Sequence, residues 1–461
     1  MKTLIFKRGT FMSKVCVIGA GSAGIAACKA LHEAGLAFDC FEKSDRVGGN
    51  WVFKNKNGIS SIYRSLHMNT SKTKMQFSDF PMPDDYPEYP FHEQIADYCD
   101  AYVDHFGFRQ SIRFSCGVVS AKRTSTGTWE VLAEDGETRT YAHLCVATGR
   151  HWHPRIPSPG YPGEFTGVQL HAHQYIDPHD PYDLVDKSIL VIGFGNSALD
   201  IACELGRKEQ NKRLFLSVRR GTWVVPRFFG HGKPADYNIV HPSRAVPFLQ
   251  RIVPKWWSVR KRVREIEATI GRPEQFGLPK PENEFDFTKA ATSQELYNRV
   301  GSGDITVKPG VSKLDGTHVL FDDGSREEVD AIIYATGYNI VFPFFDEGIV
   351  PAGEKHLSLW KRVSHPQIDN LFFVGFLQPL CAVIPVAEQQ SRFIAGVVTG
   401  SIALPAAAQR TSECAEASSA VGPAGLASGP YSLHVNCSDY VRELRRTADK
   451  LSNGPVAVVG W

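Results

Sequence analysis

Val15-Cys16-Val17-Ile18-Gly19-Ala20-Gly21-Ser22-Ala23-Gly24 is a short apolar run that passes straight into glycines spaced G-x-G-x-x-G. The run predicts a buried strand, and Ala26, Ala27, Ala30 and Leu31, which share one helical face, predict a helix directly behind it. In such a strand, tight turn and helix, each glycine has its own reason. Gly19 permits the turn, Gly21 lets a pyrophosphate approach the backbone, Gly24 lets helix and strand pack closely, and the helix N-terminus faces the phosphates. A second apolar run, Leu36 to Phe41, ends in Glu42, an acid placed to accept from a ribose 2'-hydroxyl. A surface glycine loop would show the same spacing, but strand, helix and acid together favour a nucleotide site.

The arrangement returns at Ser188 to Ile192, followed by Gly193-Phe194-Gly195-Asn196-Ser197-Ala198 and an apolar helix through Leu199, Ile201, Ala202 and Leu205. Its next strand, Leu214 to Val218, ends in Arg219 and Arg220 where the first copy has Glu42. A carboxylate accepts from a 2'-hydroxyl, whereas guanidinium groups fit a 2'-phosphate. The first site therefore suits FAD and the second NADPH, although an arginine pair at a solvated strand end would look the same. Ala198 departs from the usual third glycine, and its methyl is a tolerated substitute.

Two further strands end in near-identical turns, Leu144 to Gly149 and Ile332 to Gly337, each after a hairpin-like stretch with a turn at Glu134-Asp135-Gly136 or Asp322-Asp323-Gly324. They read as the places where the chain leaves one nucleotide-binding domain and later returns. The expected fold is α/β with two Rossmann-like dinucleotide-binding domains, the NADPH domain inserted in the FAD domain. Residues 1–150 form the first part of the FAD domain, 151–330 the NADPH domain, and 331–461 the second part of the FAD domain. Residues 406–429, rich in Ala, Ser, Gly and Pro, read as a flexible segment or exposed loop. In the Trp- and Phe-rich region 223–290, Lys255 to Arg264 is a basic amphipathic helix candidate. A charged face on a packed helix is preferred there to a membrane or acidic-partner surface.

Composition limits the remaining classes. The 461 residues carry 51 basic and 49 acidic side chains, a net charge of +2, so no strong field exists to attract a nucleic acid. At 43% hydrophobic and 22% charged, the chain is neither disordered nor collagen-like. Its 10 cysteines form no CxxC pair and no metal-ligand cluster, and read as buried thiols in a reducing compartment. The apolar run Leu4 to Phe6 is too short for a signal sequence, and Ile394 to Ala408 falls short of a membrane span. A cytoplasmic protein without a metal is expected, with a homodimer as the default assembly.

Two dinucleotide sites imply electron transfer from NADPH to FAD, and no redox cysteine pair is visible to receive the electrons. The stretch Phe165-Thr166-Gly167-Val168-Gln169-Leu170-His171-Ala172-His173-Gln174-Tyr175 resembles the FxGxxxHxxxY fingerprint of the flavin-containing monooxygenases, class B flavoprotein monooxygenases. Glu42 to Trp51, Ala335 to Tyr338 and Met68-Asn69-Thr70-Ser71-Lys72 support it in the family's order, from about residue 14 to about residue 400. The resemblance implies an NADPH- and O2-dependent enzyme that oxygenates N or S atoms of small amines or sulfides through a C4a-hydroperoxyflavin. It makes Asn69 the catalytic residue, whose amide donates without carrying charge, although Met-Asn-Thr-Ser is also a common loop composition. It assigns cofactor contacts to Gly19, Gly21, Ser22, Gly24, Glu42, Lys43, Gly49, Trp51, Gly193, Gly195, Asn196, Ser197, Arg219, Arg220, Thr336 and Gly337. Phe165, Gly167, His171 and Tyr175 are signature residues that couple the linker to the NADPH domain, and His173 reads as an ordinary loop histidine. A Baeyer-Villiger monooxygenase acting on ketones is the nearest alternative, with Tyr175 favouring N- or S-oxygenation. An N-hydroxylase of amino acid side chains and a non-enzymatic NADPH/FAD sensor are the others.

Overall fold

The computed structural model describes residues 14–207, 210–237, 239, 254–282, 285, 290–350, 357–379, 382–419 and 434–452. The strands of the two main sheets are β1 (Val15–Ile18), β2 (Phe38–Phe41), β3 (Ile112–Arg113), β4 (His143–Val146), β5 (Val168–His171), β6 (Ser188–Ile192), β7 (Arg213–Ser217), β8 (Thr306–Lys308), β9 (Ala331–Tyr334) and β10 (Leu371–Phe373). The first sheet is ordered β10-β4-β1-β2-β3 and the second β5-β9-β6-β7-β8. Every neighbouring pair in both is parallel. Parallel sheets need both faces covered, which is why β1, β9 and, after Ser188, β6 are apolar runs, all three buried along their whole length.

The two units are covered in the same way. On the first sheet, helix α1 (Ser22–Glu33) packs with α2 (His92–Phe106) and, from far along the chain, α5 (Val383–Val398); Ile25, Leu31, Tyr102, Ile384 and Ala387 share that core. The opposite face meets an antiparallel sheet of Val118–Arg123, Trp129–Ala133 and Thr138–Tyr141, whose Trp129 and Val131 pack with Leu144 and Phe373. On the second sheet, α3 (Asn196–Leu205) covers one face through Leu199 and Ile201. The hairpin Val311–Gly316 and His318–Phe321 covers the other, with Val319 and Phe321 against Leu190 and Ile332. Both hairpin turns form, the Gly136 N–H donating to the Ala133 carbonyl and the Gly324 N–H to that of Phe321, each at 3.0 Å. β9 lies within the second sheet, so the chain turns back toward the first only after Tyr334.

Helix α4 (Lys255–Ile270) forms as the sequence suggests. Its inward side carries Ile266 and Arg262, whose guanidinium lies over the rings of Phe229 and Tyr237 at 4.9 and 5.2 Å, while Trp256 and Trp257 are exposed. Two expectations are corrected. Residues 407–419 form helix α6 (Ala407–Ser419), not a flexible loop, because alanine is the strongest helix former and the helix is pinned by a buried arginine. Arg410 donates to the carbonyls of Pro366 and Pro405 at 3.1 and 2.8 Å and pairs with Asp369. Residues 420–433 lie outside the described residues, as do the N-terminal run Leu4 to Phe6 and Cys381. The second correction is to the thiols. Cys16, Cys28, Cys40, Cys99, Cys116, Cys145, Cys203 and Cys414 are free and buried, but Cys437, at the start of α7 (Cys437–Lys450), is disulfide-bonded. Disulfide pairing cannot be read from cysteine spacing alone.

Candidate functional site

Each sheet has a point where the chain, having built strands to one side, crosses over and builds to the other. In the first it lies between β1 and β4, in the second between β6 and β9. Ligands of open α/β sheets bind at the carboxyl ends of such strands, and both glycine motifs stand there. Gly19 follows β1 with φ +99°, and a Cβ on it would fall 2.8 Å from the Ala147 carbonyl oxygen. Gly193 follows β6 with φ +133°, and its Cβ would fall 2.4 Å from the Ala335 oxygen. The resemblance between the turns after β4 and β9 thus has a physical cause. Ala147 and Ala335 occupy the same position, each donating its N–H at 2.9 Å to the last residue of the neighbouring strand, Ile18 or Ile192, and pressing on the glycine that follows. Gly24 admits no methyl, its Cβ falling 1.8 Å from the Gly19 oxygen, whereas Ala198, at the same place in the second motif, is buried without difficulty.

Both cradles fit a pyrophosphate. Gly21 and Gly195 are the N-cap residues of α1 and α3, neither N-terminus has a side-chain cap, and neither first turn holds an acid. Their free N–H groups and dipoles suit an anion. Nothing would lie within 4 Å of a Cβ on Gly195, so the backbone there is open to a ligand. At the first cradle the Thr148 hydroxyl is buried without a hydrogen-bond partner, and Gly49 (φ +56°) packs on Gly21 with Trp51 behind it in a single 3-10 turn.

The flanking residues divide between site and scaffold. Glu42 is buried and its carboxylate accepts from the N–H groups of Ala20 (2.6 Å) and Ser44 (2.7 Å). Burial pushes its pKa up, opposed by those bonds, so the acid also shapes the loop it borders. Lys43 points to solvent, 3.8 Å from Glu134. Ser22 and Ser197 sit in the first turns of α1 and α3. Asn196 spends its side-chain oxygen on the Thr292 N–H at 2.8 Å, a tie to the strand Ala291–Thr292 that its position in the motif does not reveal. Arg219 and Arg220 are exposed just past β7, and no carboxylate among the described residues lies within ion-pair distance of either.

The two crossings between the sheets are joined to each other. Tyr338–Asn339 pairs antiparallel with His153–Pro154, the Arg155 guanidinium donates twice to the Thr336 carbonyl at 3.0 and 2.6 Å, the Thr336 hydroxyl returns a bond to the Arg155 carbonyl, and the Arg155 N–H donates to Gly337 at 2.9 Å. Thr336 and Gly337 therefore hold a clasp. The fingerprint supports it from below. Phe165 lies so close to Gly167 that a Cβ there would meet its ring at 2.7 Å. His171 is buried, accepts the His173 N–H on Nδ1 at 3.0 Å and packs edge-on to Tyr338, whose ring centre is also 5.9 Å from that of His173. Burial lowers the His171 pKa to about 4, so the ring is neutral at pH 7. Tyr175, fully buried, donates to Glu204 on α3 at 2.9 Å, and one turn earlier Asp200 accepts from Tyr63 of the first unit. The Tyr63 contact escaped the sequence because it spans 137 positions.

Asn69 stands on a loop held at both ends. The N–H of buried Met68 donates to Pro90 at 3.0 Å and that of buried Ser71 to Asp236 at 2.8 Å. The Asn69 side chain is exposed and bonds to no other described residue, so both ends of its amide are available. Asp236 belongs to the segment after β7, whose fit the sequence did not disclose. Tyr89 reinforces that contact, donating to the Arg227 carbonyl and accepting from the Ala235 N–H.

A family model described as flavin-binding monooxygenase-like matches residues 12–455. Flavin-containing monooxygenase 5 of Oryctolagus cuniculus is 34% identical over 456 residues, covering 96% of this chain and 83% of that protein. Dimethylaniline monooxygenase [N-oxide-forming] 2 of the same species is 35% identical over 408 residues, covering 85% and 74%. Among solved structures, the S-allyl-L-cysteine S-oxygenase of Allium sativum superposes with a TM-score of 0.68 at 22% identity over 96% of this chain and 90% of that one. Cyclohexanone monooxygenase from Rhodococcus sp. Phi1, bound to NADP+, gives 0.68 at 19% identity over 96% and 98%. These last two establish the shared fold.

Proposed function

The chain belongs to the flavin-containing monooxygenase family, and from that premise we propose how its residues divide the work of an NADPH- and O2-dependent oxygenation of nitrogen or sulfur. Family and fold make it a flavoprotein enzyme that uses FAD and NADPH. The observation that carries the residue assignment is the repeated cradle, one glycine turn pressed on one alanine at each of two crossover points. The first cradle, with Gly19, Gly21, Ser22, Gly24, Glu42, Gly49 and Trp51, would hold FAD. The second, with Gly193, Gly195 and Ser197 at the helix terminus and Arg219 and Arg220 on the 2'-phosphate, would hold NADPH. Held in the first cradle, FAD would supply hydride acceptance from NADPH and activation of O2, one oxygen atom going to the substrate and the other to water.

Few protein acids or bases are needed for that chemistry, and His171, beside the clasp, is held neutral. Asn69 would donate its amide N–H where negative charge develops on the reacting oxygen, a contribution worth most where water is excluded. Its loop is fixed through Met68 and Ser71 while its side chain stays free, the arrangement such a donor requires. The Arg155 clasp and the tyrosine bonds to Asp200 and Glu204 would keep the two cradles in register. No described helix is long and apolar enough to cross a membrane. A cytoplasmic location and a homodimer complete the proposal; the eight free, buried thiols support the first, against which stands the disulfide at Cys437. The test is a panel of tertiary amines, thioethers and ketones scored by product. N-oxides or sulfoxides are expected, whereas esters or lactones as the main products would move the reading to Baeyer-Villiger chemistry.

A further inference from the structure

Val225, Phe229, Ala235, Ile266 and Phe285 pack into a small core separate from those of the two sheets. Its hairpin, Phe228–Phe229 with Lys233–Pro234, touches both larger units. Toward the second, Arg227 lies 3.7 Å from Asp200 on α3. Toward the first, Ile239 packs on the core beneath α1, and Tyr89 donates to the Arg227 carbonyl and accepts from the Ala235 N–H at 3.2 Å. Just past the hairpin, the buried carboxylate of Asp236 accepts the Ser71 N–H on Oδ2 at 2.8 Å.

The Asn69 loop depends on that bond. Around it, His67 bridges to Phe91, and the N–H groups of Met68 and Lys72 donate to the carbonyls of Pro90 and Glu88 at 3.0 and 2.8 Å. Ser71 is the N-cap of the short helical turn Lys72–Met75, where a serine hydroxyl ordinarily accepts from the helix and fixes the entry of the chain. Its hydroxyl makes no such bond and is buried without a hydrogen-bond partner. The local anchor is therefore missing, and a carboxylate from a distant segment holds the main chain instead. For stability alone that carboxylate is a poor choice. It spends one oxygen on a neutral N–H, while Oδ1 is buried with no hydrogen-bond partner. The charge of Arg262, which lies over the Tyr237 ring, offsets part of the cost. Resting on the assignment of Asn69 above, we propose that Asp236 is a positioning residue for the oxygenation. It sets where the Asn69 amide stands, and through it the segment 223–290 controls how much activated oxygen reaches the substrate.

The test is the ratio of H2O2 to oxygenated product made by the full-length, FAD-loaded enzyme from NADPH and a thioether that wild type oxygenates. Asp236→Ala should raise the ratio about tenfold, the lower range of a hydrogen bond to a charged group. Asp236→Asn keeps an acceptor oxygen in the same place and should stay within about threefold of wild type. Asp236→Glu keeps the charge but carries the acceptor one methylene away, and should resemble the alanine variant. Added to Asn69→Ala, Asp236→Ala should change the ratio less than about twofold, because both act through one group. A fault in folding would lower Tm and FAD content without producing this order of variants. If Asp236→Ala does not retain FAD, the contrast between Asn and Glu decides by itself. Wild-type coupling in Asp236→Ala, a Glu variant coupled as well as the Asn variant, or a full further loss in the Asn69→Ala background overturns the proposal. Intact coupling in Asn69→Ala removes the Asn69 reading and the proposal with it, whereas an uncoupled Asn69→Ala beside a coupled Asp236→Ala sinks the proposal alone.

Discussion

Replacing Gly193 by Ala separates the two cradles in one experiment. At φ +133° an L-residue sits in a region nearly reserved for glycine, which costs of order 1–3 kcal/mol. The added Cβ would stand 2.4 Å from the Ala335 oxygen, about 1 Å inside ordinary contact. Ala335 cannot simply retreat, since its N–H is bonded to Ile192 at 2.9 Å and it continues the buried strand β9. Overpacking of that kind adds roughly 1–3 kcal/mol, for a total of about 2–6 kcal/mol on the turn that leads into α3. If only the lower end reaches the ligand, NADP+ binding weakens about 30-fold. The variant should therefore purify yellow, with full FAD content, yet show little NADP+ affinity by titration and little reduction by NADPH. Gly19→Ala, with its Cβ 2.8 Å from the Ala147 oxygen, should do the reverse and lose FAD. If Gly193→Ala binds NADP+ as wild type does, or sheds FAD instead, the assignment of the cradles is wrong.

Asn69→Ala should leave NADPH oxidation running but divert it to H2O2, measured as product formed per NADPH consumed; intact coupling would remove Asn69 from the reacting oxygen. Arg219→Ala should raise the KM for NADPH far more than that for NADH, and equal effects would place Arg219 outside the 2'-phosphate site. Tyr175→Phe strips a hydroxyl from the Glu204 carboxylate, pushed up in pKa chiefly by burial, and should cost about 1–3 kcal/mol, read as a fall in Tm. Finally, His171 stays neutral in the fold down to about pH 4, whereas the unfolded chain takes up that proton near 6.5. The unfolded state thus binds more protons between those values, and stability contributed by a neutral His171 falls away as pH drops from 6.5 toward 4. Melting curves of wild type and His171→Gln across that range should converge at the acid end, and parallel curves would refute the assignment.

What the sequence disclosed were the features set by local backbone geometry. Gly19, Gly24 and Gly193 are required by turns and contacts within a few residues of one motif, and the turns around Ala147 and Ala335 repeat because they meet those glycines in the same way. The signature residues were legible as a pattern, but the use of Tyr175, a bond to Glu204 that crosses from linker to helix, was not. Least readable were pairings between distant positions. Asp236 reaches Ser71 across 165 residues, and Tyr63 reaches Asp200 across 137. Neither acid belongs to a motif, and neither partner is unusual in composition. Asn196 shows a second role that its motif does not reveal: besides its place at the helix N-terminus, its amide oxygen accepts from the Thr292 N–H of a nearby strand. Residues 407–419 were misread because alanine and serine dominate loops and helices alike, and burial of Arg410 decided between them.

The most direct measurement supplies the enzyme with NADPH, a thioether and isotopically heavy O2, and follows the label by mass. One heavy oxygen atom in each sulfoxide formed, with one NADPH consumed per product, is the predicted result. Sulfoxide oxygen drawn from water, or NADPH oxidised with H2O2 as the sole product for every amine, thioether and ketone offered, would contradict it.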